Sequence, residues 1–170
     1  FARKAIEKGA AWAVVDELTI AHERLILVDD VLTSLQALAR FHRQHLGIPI
    51  VALTGSNGKT TSKELINAVL QTRFKTVATL GNLNNHIGVP LTLLRMDATT
   101  ELGIVEMGAN HQQEIQQLCA IALPDYGYIT NFGKAHLEGF GGYEGVIKGK
   151  RQLYDYLLAH DKVAFVSAND

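Results

Sequence analysis

With 170 residues, of which 47% are hydrophobic, the chain has enough apolar side chains to bury one ordinary domain and part of a second. Its 16 basic and 17 acidic residues give a formal charge of −1 and are spread along the sequence, which argues against a nucleic-acid surface. The single cysteine, Cys119, excludes an internal disulfide and fits a reducing compartment, and no apolar run approaches the ~20 residues that span a bilayer.

In chain order, residues 1–9 read as the tail of a helix that begins without a cap or an initiating methionine, so the natural protein is expected to start earlier. Short apolar runs at 11–15 and 25–28 read as strands. They lead to a helix over 32–46, where Leu35, Leu38, Ala39 and Phe41 recur at roughly helical spacing. Gly47 to Pro49 break that helix and set a domain boundary, with 1–47 ending one unit and 48–170 forming another. The second unit alternates strands at 50–53, 74–79, 102–106, 126–130 and 163–166 with helices at 60–73, 111–121 and 143–159, and a further helix begins near Val89. This βα alternation predicts an α/β fold with a mostly parallel sheet flanked by helices. Ligands of such sheets gather beyond the carboxyl ends of the strands.

The run Thr54-Gly55-Ser56-Asn57-Gly58-Lys59-Thr60-Thr61 follows one of these strands and opens a helix, the setting of a phosphate loop. Gly55 and Gly58 let the main chain approach phosphate oxygens, helix-start amides supply donors, Lys59 reaches terminal phosphates, and the Thr60 hydroxyl can complete a magnesium shell. Leu53 stands where the commonest spacing has its first glycine, so the loop is tighter than usual. Glu106 closes the strand over 102–106, where its carboxylate can hold a metal or simply be solvated. His136 follows the strand over 126–130. Imidazole is an unusual partner for a hard magnesium ion, so a structural role stays open for it. Lys150 is, by spacing alone, one lysine on a helix beside Lys148, and Asn82, Asn84, Asn85 and His86 read equally as a capped turn.

Four stretches in order, 54–61, Gly81-Asn82-Leu83-Asn84-Asn85-His86-Ile87-Gly88-Val89-Pro90, Val105-Glu106-Met107-Gly108-Ala109-Asn110 and 129–142, together resemble the Mur ligases. The asparagine-rich loop and the run His136-Leu137-Glu138-Gly139-Phe140-Gly141 point to the branch that joins D-alanyl-D-alanine to a UDP-N-acetylmuramoyl-tripeptide. The resemblance implies a cytoplasmic, ATP-dependent ligase of cell-wall precursor synthesis with three domains, monomeric when complete, working through an acyl phosphate and without nucleic acid or membrane insertion. Residues 1–47 would end its UDP-substrate domain, and 48–170 would be an incomplete ATP-binding domain, inactive alone.

Carried over by position, the resemblance gives ATP contacts to Gly55, Ser56, Asn57, Gly58, Lys59, Thr60 and Thr61. It gives magnesium, with two ions expected, to Thr60, Glu106, His136 and Lys150, the last as a carbamate. Catalytic roles fall on Lys59, His136 and Lys150, and muramoyl-peptide contacts on Asn82, Asn84, Asn85 and His86. Arg151 and Gln152 stand where the family usually shows glycine and glutamate, and Lys148 competes for the modified position. A sister ligase, a folylpolyglutamate synthase-like enzyme and a non-ligating nucleotide-binding module are the alternatives.

Overall fold

A computed structural model describes residues 1–17 and 22–167. The N-terminal part holds α1 (Ala2–Glu7), β1 (Ala13–Val15) and β2 (Leu25–Leu27), the two strands pairing in parallel. Helix α2 (Val31–Leu46) follows. Asp30 caps it, accepting the Thr33 amide at 2.6 Å, and Gly47 ends it in the left-handed region at φ +64°.

The main sheet is parallel throughout, in the order β4 (Thr76–Ala78), β5 (Leu102–Glu106), β3 (Ile50–Thr54), β6 (Tyr126–Ile129), β7 (Val163–Phe165). β3 and β5 are buried at all five positions, as expected of inner parallel strands covered on both faces. Alternate side chains serve the two layers. Ile50 and Ala52 join Val105 and Ile129 in the larger core, under α4 (Gly88–Leu94), α5 (Glu114–Ala122) and α7 (Tyr143–Ala159). Val51 and Leu53 meet Leu102 and Ile104 on the other face, under α3 (Lys59–Leu70).

Helix α2 packs on the larger core through only part of the stripe its hydrophobic spacing suggests. Ala39 is fully buried, whereas Leu38 and Phe41 are 55% and 66% exposed. The inward face is anchored by polar groups. His42 Nε2 donates to the Met96 carbonyl at 2.7 Å, and Arg43 donates to the Ala122 and Leu123 carbonyls and pairs with Asp125 at 2.6 Å. Among the described residues no helix is long and apolar enough to cross a membrane.

The observed elements are mostly shorter than their sequence patterns. β4 loses Phe74 and Lys75 because the Lys75 amide is taken by the Glu101 carboxylate. α5 starts at Glu114 instead of residue 111, since Glu114 Oε2 accepts the Asn110 and His111 amides and Gln113 turns through φ +69°. A short helix that the pattern did not suggest, α6 (Leu137–Phe140), lies just before α7.

Candidate active site

The phosphate loop joins β3 to α3. Thr54 anchors its start by donating to the Met107 carbonyl at 2.7 Å. Gly55 has φ +144°, and a Cβ there would lie 1.9 Å from Thr130 Oγ1, so both conformation and space require glycine. Gly58, at φ +74°, turns the chain into α3. The first main-chain bond of the helix runs from the Ser62 amide to the Gly58 carbonyl, which among the described residues leaves the amides of Gly58, Lys59, Thr60 and Thr61 as the unpaired donors of a helix start. Lys59 Nζ folds over the loop, donating to the Gly55 carbonyl at 2.8 Å and more weakly to that of Ser56 at 3.4 Å. Burial holds the Lys59 ammonium below the usual lysine range, and the Glu106 carboxylate partly offsets this.

The loop is clamped from the chain that follows β6. Asn131 Oδ1 accepts the Asn57 amide at 3.1 Å while Asn131 Nδ2 donates to the Asn57 carbonyl at 3.0 Å. Thr130 Oγ1 donates to that same carbonyl at 2.6 Å, and the Ser56 amide and hydroxyl bond the carbonyls of Asn131 and Gly133. The amides of Ser56 and Asn57 are therefore committed within the protein, and the free donors start at Gly58.

Glu106 ends β5, opposite Leu53 in register with β3. It is 1% exposed. Its Oε1 accepts Asn84 Nδ2 at 2.7 Å and lies 3.4 Å from the Thr60 hydroxyl, and its Oε2 is buried with no hydrogen-bond partner among the described residues. A buried carboxylate oxygen left unsatisfied beside a hydroxyl at a helix start fits a hard divalent cation. Among the described residues no group of three or more His, Cys, Asp or Glu side chains is arranged to hold a metal. Magnesium commonly keeps such a sparse protein shell, with one or two carboxylates plus phosphate and water.

Beside the loop opens a polar cleft of about 450 Å³ that is lined by Lys59, Asn82, Asn84, Asn85, His86 and His136. Lys59, His136 and the four asparagine-loop residues thus share one cleft, and Glu106 is tied to its wall through Asn84. Their side chains are engaged differently, however. Asn85 Oδ1 accepts the amides of Ile87 and Gly88 at 3.1 and 2.9 Å, the capped turn at the start of α4, while Asn84 is tied to Glu106. His136 is exposed, at φ +56°, just before α6. Thr60 and Thr61 are exposed on the first turn of α3.

Lys150 lies behind the cleft wall. It is 2% exposed, donates to the carbonyl of the wall residue Ala109 at 3.1 Å and stands 5.1 Å from the centre of the Phe140 ring. Burial pulls its amine down to about 8, helped by the charge of Lys59 and opposed by that of Glu114. Lys148, two residues away, is exposed. Burial therefore separates two lysines that sequence spacing leaves equivalent. The Thr130–Asn131 clamp had no local signal, since it acts on a loop 74 residues earlier in the chain.

The family model for the Mur ligase middle domain matches residues 53–170. The UDP-N-acetylmuramoyl-tripeptide–D-alanyl-D-alanine ligase of Bacillus subtilis is 43% identical over 161 residues, covering 92% of this chain and 35% of that protein. Its Escherichia coli counterpart is 38% identical over 170 residues, covering 100% and 37%. Among solved structures, a MurF crystal structure from Acinetobacter baumannii matches with a TM-score of 0.89 at 36% identity, covering 98% of this chain and 36% of that one. The MurF ligase of Thermotoga maritima in complex with ADP gives 0.82 at 33% identity, covering 91% and 36%. The chain thus spans only about a third of the length of the relatives it matches. With the family model spanning the phosphate loop, Glu106, His136 and Lys150, the chain belongs to the Mur ligase family, through its middle domain.

Proposed function

We propose that the chain is the nucleotide-binding part of a cytoplasmic ligase that joins D-alanyl-D-alanine to UDP-N-acetylmuramoyl-tripeptide at the expense of ATP, monomeric when complete. The observation that carries this reading is the single cleft shared by Lys59, the asparagine loop and His136, with Glu106 tied to it through Asn84 and keeping one buried oxygen unpartnered. The relatives named for this activity and the ADP complex of the Thermotoga maritima protein support it.

In this reading residues 1–47 close a UDP-substrate domain and 48–170 begin the ATP-binding domain. The amides from Gly58 to Thr61 receive the phosphate chain, and Lys59 turns from the loop carbonyls to the terminal phosphate. Thr60 and Glu106 hold magnesium, which when bound neutralises charge on the phosphates. His136 and Lys150 flank the reacting end of the cleft.

The peptide carboxylate, held along the Asn82–His86 wall, attacks the γ-phosphorus, and ADP leaves. The amine of D-alanyl-D-alanine then attacks the acyl carbon and inorganic phosphate departs with the carboxylate oxygen. Lys59 stabilises the charge on the phosphoryl group as it transfers. Lys150, whose depressed pKa favours the neutral amine, is suited to become a carbamate and supply an anion for a second ion.

The test is acyl-phosphate trapping as a hydroxamate in the full-length protein, with ATP, the muramoyl tripeptide and D-alanyl-D-alanine each omitted in turn. Trapping is expected only with ATP and the muramoyl peptide. Lys59→Ala is expected to lower it by about 10²–10³-fold with unchanged circular dichroism. Turnover unaffected by Lys59→Ala, or ADP release that ignores both acceptors, refutes the reading. The 170-residue chain alone is expected to bind nucleotide weakly and not to ligate.

A further inference from the structure

Lys63 is fully buried on the inner face of α3, one turn beyond Lys59, and the phosphate chemistry above does not use it. Its Nζ donates to the Thr79 carbonyl at 2.7 Å and pairs with Glu64 Oε1, also at 2.7 Å, the Glu64 side chain being 63% exposed. Burying an ammonium costs several kcal/mol, while an apolar side chain of similar volume would fill the space without that cost. What the cation holds is therefore informative.

Thr79 lies just past β4, where the ladder to β5 stops. Its amide still donates to the Ile104 carbonyl at 2.9 Å. In a continued parallel ladder the next bond would run from the Glu106 amide to the Thr79 carbonyl. Instead the Glu106 amide donates to the Thr79 hydroxyl at 3.0 Å, and the carbonyl is given to Lys63. The peptide of the candidate metal carboxylate thus rests on a side chain whose own peptide is fixed by a buried cation. Three residues after Thr79 the same segment enters the cleft wall at Asn82, and Asn84 returns to grip Glu106 Oε1. α3, which carries the phosphate loop at its start, is in this way bonded to the strand tip that carries the carboxylate.

We infer that Lys63 and Thr79 are positioning residues that set Glu106 for metal binding, Lys63 by holding the Thr79 carbonyl and Thr79 by holding the Glu106 amide. This rests on the assignment of Glu106 as a metal carboxylate. Groups that orient a metal ligand typically carry 10–100-fold of metal affinity, so an effect of about tenfold is expected here.

The experiment uses the full-length protein with ADP and Mn²⁺ as the metal probe. Bound Mn²⁺ is read by electron paramagnetic resonance, metal-free ADP affinity by calorimetry, and the melting temperature alongside. Thr79→Val and Lys63→Met are expected to weaken Mn²⁺ binding in the ADP complex by about tenfold, with metal-free ADP affinity changed by less than about threefold. Thr79→Ser, which keeps the hydroxyl, is expected to bind Mn²⁺ within about threefold of the parent. If Lys63→Met does not fold, the Thr79→Val and Thr79→Ser pair decides. Equal Mn²⁺ affinity in Thr79→Val and the parent overturns the inference, as does an equal loss in Thr79→Ser. Glu106→Gln separates the two levels of the argument. Loss of Mn²⁺ in Glu106→Gln without loss in Thr79→Val overturns this inference alone, and retention in Glu106→Gln overturns the metal assignment together with it.

Discussion

Asn131→Ala tests whether the phosphate loop is held in its binding shape by the chain after β6. The substitution removes two hydrogen bonds to Asn57, of 3.1 and 3.0 Å, and touches none of the donors between Gly58 and Thr61. Three clamps survive, the Thr130 hydroxyl on the Asn57 carbonyl at 2.6 Å, the Asn131 carbonyl on the Ser56 amide at 3.1 Å and the Gly133 carbonyl on the Ser56 hydroxyl at 3.0 Å. A typical hydrogen bond contributes about 0.5–1.5 kcal/mol net, and Asn131 is exposed, so the pair is taken at the low end, about 1–2 kcal/mol. That free energy shifts the loop away from the binding shape in the empty protein and must be recovered when nucleotide binds. At about 1.4 kcal/mol per factor of ten, ADP affinity is expected to fall roughly 5- to 30-fold. Calorimetric titration of Mg²⁺-ADP into the full-length protein measures it, with thermal melting to show that the fold persists. An affinity within about twofold of the parent refutes the claim that this clamp preorganises the loop.

Two further outcomes follow from charge and burial. With its amine pulled down to about 8, Lys150 is neutral in roughly one molecule in ten at pH 7, against about one in a few thousand for an ordinary lysine. ¹³C-bicarbonate is therefore expected to give a carbamate resonance that grows as pH rises toward 8 and is absent in Lys150→Ala. Activity of Lys150→Ala is expected to return in part with an added short carboxylic acid, and a parent-like rate without it marks the lysine as ordinary. Asp125 is desolvated, which raises its pKa, but the hydrogen bond from Lys162, the Ile50 amide and the charges of Arg43 and Lys162 outweigh this and hold it low. A carboxylate depressed on folding contributes stability above its unfolded value of about 4 that is lost as pH falls through the folded value. Urea midpoints of the parent are thus expected to drop below about pH 4, and Asp125→Asn is expected to be less stable at pH 7 with a flatter acid limb. Parallel pH profiles for the two contradict the account.

The layered fold was legible because hydrophobic runs and glycine-bearing turns are local. β3 and β5 sit where the sequence put them, at 50–53 and 102–106, each within a residue. Two of the failures share a cause, a polar side chain that takes a backbone group the pattern assigns to an element. Glu101 ends β4 early by capturing the Lys75 amide, and Glu114 delays α5 by capturing two amides ahead of it. The same limit applies at the site. Glycines and Lys59 announce the loop because its chemistry is contiguous, but spacing alone leaves Lys150 equivalent to Lys148, and burial against Phe140 separates them. Asn84, legible only as part of an asparagine-rich turn, proved to hold Glu106.

Strand order explains why the site forms where it does. β3 lies between β5 and β6, pairing Leu53 with Glu106 on one side and Thr54 with Ile129 on the other. The chain reaches these neighbours only after crossing to β4 and back, so three loops distant in sequence leave the sheet side by side at one edge. The middle one is the phosphate loop. Its left neighbour ends in the carboxylate Glu106, and its right neighbour continues into Thr130 and Asn131. A phosphate seated on the amides of Gly58 to Thr61 therefore has an anion for its counter-ion on one side and a fixed hydrogen-bond clamp for its loop on the other. On the proposed reading, residues that set nucleotide affinity lie on the β6 side and those that set the metal on the β5 side. Variants of Asn131 should accordingly act on nucleotide with or without metal, whereas those of Thr79 should act only when metal is present, and combining Asn131→Ala with Thr79→Val should give additive losses, because the two clamps have no residue in common.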